Sequence, residues 1–70
     1  MDKEKVIAIV SRAIKNIQAE ENECIKQIRY LREHRFFMES EAKVYEQRSY
    51  NKSWLIVHDA LEEIDKMDEL

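Results

Sequence analysis

Glycine and proline are both absent from the seventy residues. The residues that most often end helices and shape tight turns are therefore missing, and strand-rich folds, which call on them at each reversal, are disfavoured. Cysteine occurs once, at Cys24. A lone thiol cannot close a disulfide within the chain, which removes the disulfide-stapled class and fits a reducing, cytoplasmic setting. Long apolar runs are absent too. The longest, "VIAIV" at Val6 to Val10, is too short to span a bilayer, and no cleavage-site pattern follows it, so neither a membrane span nor a signal peptide is expected.

What is present is charge. Charged residues make up 39% of the chain, with a net charge of −3, so there is no general attraction to polyphosphate. Abundant Glu, Lys, Arg, Ile and Leu is the composition of long helices and coiled coils. A chain this short buries only about 60% of the surface its unfolded form exposes, which leaves a lone core marginal and makes oligomerisation the usual supplement.

Apolar residues recur every three or four positions. The seam Ile7, Val10, Ile14, Ile17, Cys24, Ile28, Leu31, Met38, Ala42, Tyr45 keeps a seven-residue repeat, interrupted only by Glu21 and Arg35. Such a repeat predicts a supercoiled helix seam. On this reading the fold is all-α and a single helical domain: a long helix over about residues 3–48, a turn over about 49–53, and a shorter antiparallel helix over about 54–69. Poor helix formers cluster in "SYNKS", where Asn51 suits the left-handed conformation and Ser53 suits an N-cap. The competing turn is "MES", near 39–40, with Ser40 capping a longer second helix. Trp54, Val57, Leu61 and Ile64 give the second helix one apolar face, set to cover a stripe of Tyr30, Phe37 and Val44 on the first. The alternative is that this stripe remains exposed as a docking patch.

The seam is then left for another chain. A parallel pairing would superpose Glu21 on Glu21 and Arg35 on Arg35, whereas an antiparallel one brings Glu21 near Arg35, so an antiparallel homodimer forming a helical bundle is expected.

Lys26, Arg29, Arg32 and Arg35 are spaced by three and spiral off any single helical face. Acids lie one turn away from three of them, and folding back at Asn51 would bring Asp65 and Asp68 to Arg32 and Arg35. Direct nucleic-acid contact is therefore the less favoured reading. His58 and Glu62 share a helical face, but two ligands do not make a metal site, and no paired motif accompanies them. Cys24 lacks a neighbouring base and reads as an apolar filler. The acids Asp59, Glu62, Asp65 and Glu69 could imitate a phosphate row, although such runs are more often solvated faces. The amino-terminal "KVIAIVSRAIKNI" could lie on a membrane surface, but its apolar residues continue the seam.

Function follows by elimination. The expectation is a non-enzymatic homodimeric regulator, without cofactor or metal, that binds another protein, such as a DNA-binding transcription or replication factor, and modulates it. Lys- and Ile-rich composition points to a bacterial or phage source. The contacts expected are Arg29, Tyr30, Arg32, Phe36 and Phe37, whose residue types resemble an interface hot spot, with Asp59, Glu62, Asp65 and Glu69. The alternative is a dimeric nucleic-acid binder using Arg29, Arg32 and Arg35. A purely structural coiled-coil spacer is the third class.

Overall fold

The first helix begins where the sequence supplies a cap. Asp2 is extended, and its carboxylate accepts the backbone N–H of Glu4 at 2.9 Å, satisfying one of the donors a helix start leaves open. In a computed structural model that describes residues 2–67, α1 runs Lys3–Glu33 and α2 runs Phe37–Lys66. The described residues form a helical hairpin, with helices of 31 and 30 residues in a rod of 52 × 14 × 12 Å.

The chain reverses at His34, Arg35 and Phe36. His34 caps α1, and Arg35 takes the left-handed conformation with φ of 64°. The Arg35 N–H donates to the Arg32 carbonyl at 3.1 Å, and the Phe36 N–H to the Leu31 carbonyl at 2.8 Å. These two bonds define a Schellman motif, which usually places glycine where Arg35 stands. This corrects the expected turn over about 49–53 and the long helix over about 3–48. The rival at 39–40 lies nearer the true reversal, yet Ser40 is not a cap: it sits in the first turn of α2, buried, its hydroxyl donating to the Phe37 carbonyl at 2.8 Å.

The "SYNKS" segment is helical throughout. Ser49 and Ser53 donate their hydroxyls to the Tyr45 and Ser49 carbonyls one turn back, at 3.2 and 2.8 Å, so their polarity is absorbed by the helix itself. Asn51 and Ser53 therefore have neither the left-handed nor the capping role expected of them.

The true turn also redraws the seam. From Ile7 to Leu31 the stripe faces α2, with Ile14, Cys24 and Ile28 buried between the helices. From α2 the interior receives half-buried Trp54, Val57, Leu61 and Ile64. The seam is thus filled within the chain and is not the free edge that an antiparallel homodimer was expected to use. Met38 and Tyr45, counted as its continuation, lie beyond the turn and are 84% and 70% exposed. At the open end the Lys3 ammonium donates to the carbonyls of Asp65 and Met67 at 2.7 and 2.6 Å. That contact ties the start of α1 to the last carbonyls of α2.

Candidate functional site

Three groups of side chains carry polar or binding chemistry, each placed by the hairpin. The first lies inside it. Glu21 is 8% exposed, and its carboxylate accepts from the Trp54 indole Nε1 at 2.9 Å and the Gln47 amide Nε2 at 2.5 Å. Burial raises the carboxyl pKa, but the hydrogen bonds from Trp54, Gln47 and Asn51 outweigh it and hold Glu21 below its ordinary value. Such donors favour the charged form directly. One turn along, burial and the Glu46 carboxylate push the Cys24 thiol up, which opposes nucleophilic chemistry there.

The second group is at the turn. Tyr30, Phe36, Phe37 and Met38 are all exposed. Tyr30 stacks on His34 with ring centroids 4.1 Å apart, and His34 Nδ1 lies 2.8 Å from the Tyr30 carbonyl. The expected covering of Tyr30 and Phe37 by α2 does not occur, because Phe37 opens α2 instead of standing opposite Leu61; of that stripe, Val44 alone is half-buried.

The third is a basic flank. Arg32 and Arg48 line one groove with Glu41, Val44 and Tyr45. Among the described residues only Lys43–Glu46 at 3.0 Å and His58–Glu62 at 3.7 Å form charge pairs, so Arg29, Arg32, Arg35 and Arg48 have no carboxylate partner. The acids expected beside Arg32 and Arg35 are elsewhere: Asp65 lies at the open end, next to Lys3. Asp68 and Glu69 fall outside the described residues. Arg48 was missed in the sequence because only the true turn brings α2 alongside Arg32.

Comparison with protein-family models, with curated proteins and with solved structures yields no match. The assignment of a role therefore rests on these three groups.

Among the remaining expected contacts, His58, Asp59 and Glu62 hold ligand atoms within 4.8 Å of one another on the surface of α2. One helical face supplies all three, so much of any cation's coordination would be left to water. No described helix is long and apolar enough to cross a membrane.

Proposed function

We propose that this protein is a small non-enzymatic regulator that acts by binding another protein with the turn end of the hairpin. The observation that carries the reading is the exposure of Tyr30, Phe36, Phe37 and Met38 around a reversal only three residues long. Large apolar side chains gathered at one tip are costly to leave in water and are the residue types that anchor interfaces. A partner presenting an apolar groove fits this tip. The dimer belongs to the same proposal, with one change: α2 occupies the seam, so a second copy must pair through an outer flank.

The test is a paired affinity capture with the wild-type chain and a Phe36→Ser/Phe37→Ser/Met38→Ser variant whose helicity is checked by circular dichroism. A stoichiometric partner held by the first and lost by the second supports the reading. Equal recovery by both places the contact elsewhere.

A second reading, binding to nucleic acid, is favoured by Arg29, Arg32 and Arg48, which have no carboxylate partner among the described residues. A mobility-shift titration at two salt concentrations decides it, since phosphate contacts lose affinity steeply with salt.

A further inference from the structure

The groove containing Arg32, Val44 and Arg48 continues along the rod, because steps of seven residues return to the same helical flank. Seven on from Arg32 toward the amino terminus is Ile25. Seven and fourteen on from Arg48 are Leu55 and Glu62, and three such steps from Val44 reach Asp65. Ile25 and Leu55 are both partly exposed, at 41% and 43%.

Charge along this flank is divided by position. Its turn half carries Arg29, Arg32 and Arg48 against Glu33 and Glu41, and its open half carries Glu4, Asp59, Glu62 and Asp65 against Lys15 and Lys66. At 1.5 Å per residue, Arg29 and Arg32 lie about 16 and 21 Å to the turn side of the midpoint of α1, and Glu62 and Asp65 lie about 16 and 20 Å to the open side of the midpoint of α2. The two halves are opposite in sign and matched in distance from the middle.

We infer that this flank is the contact for a second copy of the chain, laid antiparallel so that the basic half of each hairpin covers the acidic half of the other, with Leu55 nearest the middle and Ile25 and Val44 about 10 Å to the turn side of that middle. A parallel arrangement would set like charge on like and is disfavoured. The size is adequate: a rod 52 Å long and, with side chains, roughly 20 Å broad offers about 1,000 Å² per flank, against the roughly 800 Å² per partner that stable interfaces bury. The opposite flank exposes Ile9 and Ile56, and the variants below distinguish the two surfaces. Pairing on the arginine flank leaves the tip free, so the inference goes beyond the partner reading and is measured independently of it.

The experiment is light scattering coupled to size exclusion at about 100 μM chain and low salt, in the concentration range of weak pairing. The wild type is expected at twice 8.5 kDa, shifting toward the single chain as salt rises. Arg29→Glu/Arg32→Glu and Glu62→Lys/Asp65→Lys, each confirmed helical, are expected to weaken self-association by at least about tenfold. Mixing the two variants restores the dimer, since each then supplies the charge the other lacks. A single chain under every condition overturns the inference. So does a dimer indifferent to these substitutions and broken instead by Ile9→Glu/Ile56→Glu. If the arginines are held instead by nucleic acid, the wild type stays monomeric until an oligonucleotide is added, which also overturns it.

Discussion

The indole of Trp54 reaches across the hairpin to the carboxylate of Glu21 at 2.9 Å. A charged group in so narrow an interior is tolerable only when its oxygens are satisfied, and Trp54 and Gln47 satisfy one each. Because both donors come from α2 and the acceptor from α1, the cluster also fixes how the helices slide on each other. Shifting α2 by one turn would leave the carboxylate buried without partners, at a cost of a few kcal/mol.

Replacing Trp54 with Phe keeps most of the packing and removes the donor. We expect a loss of about 1.5–3 kcal/mol, the range for hydrogen bonds to charged groups, seen as a lower urea midpoint in circular dichroism. An unchanged midpoint would show that the bond contributes nothing net.

Acid should weaken the fold through the same group. The folded pKa of Glu21 lies below its ordinary value of 4.5, so its contribution is fully present above that value and is lost as pH falls through the folded one. Glu21→Gln should be less stable than wild type at neutral pH, with the gap closing below pH 4.5. Denaturant titrations of both proteins from pH 7 to 3 check this; a gap that stays constant refutes it.

Arg35 holds a left-handed conformation that costs a side-chain-bearing residue roughly 1–2 kcal/mol. Arg35→Gly should therefore stabilise the hairpin by about 0.5–1 kcal/mol, after allowing for the greater freedom of glycine in the unfolded chain. The sign is diagnostic. In a continuous helix the same change would destabilise by about 1 kcal/mol, so the direction of the shift in melting temperature reports where the chain turns.

Lys3 ties the open end by donating to the carbonyls of Asp65 and Met67. Substitution with Met retains the aliphatic stem and removes the donors. Amide hydrogen exchange in the last turn of α2 should then speed up by about two- to tenfold, with the middle of the helix unaffected. Uniform acceleration along α2 would point to global destabilisation instead.

Cys24 is 4% exposed, and burial raises its thiol pKa. Reaction with a thiol reagent at pH 8 should be at least about tenfold slower in the folded protein than in urea. A rate equal to that of the unfolded chain would contradict the placement of Cys24 between the helices.

The two interruptions of the heptad were the most informative positions in the sequence, and each concealed a feature that an unbroken reading passed over. Glu21 breaks the seam because it is the acceptor of the buried cluster. Arg35 breaks it because the helix has already ended. Ser49, Asn51 and Ser53 looked like a turn because they are weak helix formers, but the serines bond back to the helix and Asn51 helps hold Glu21.

The sequence alone determined that the described chain is helical, that Ile7 to Leu31 carry one apolar stripe, and that Trp54, Val57, Leu61 and Ile64 carry another; that these two stripes face each other came from the turn. The helices and the stripes follow from periodicity and from the absence of glycine and proline. Tertiary structure decided the place of the turn, the partners of Glu21 and the meeting of Arg32 with Arg48. The physical reason is one of scale: propensities differ by a few tenths of a kcal/mol per residue, whereas burying one large apolar side chain is worth about 1.5–3 kcal/mol. The chain therefore turns where the two stripes can meet, even though an arginine must adopt the conformation of a glycine to do it.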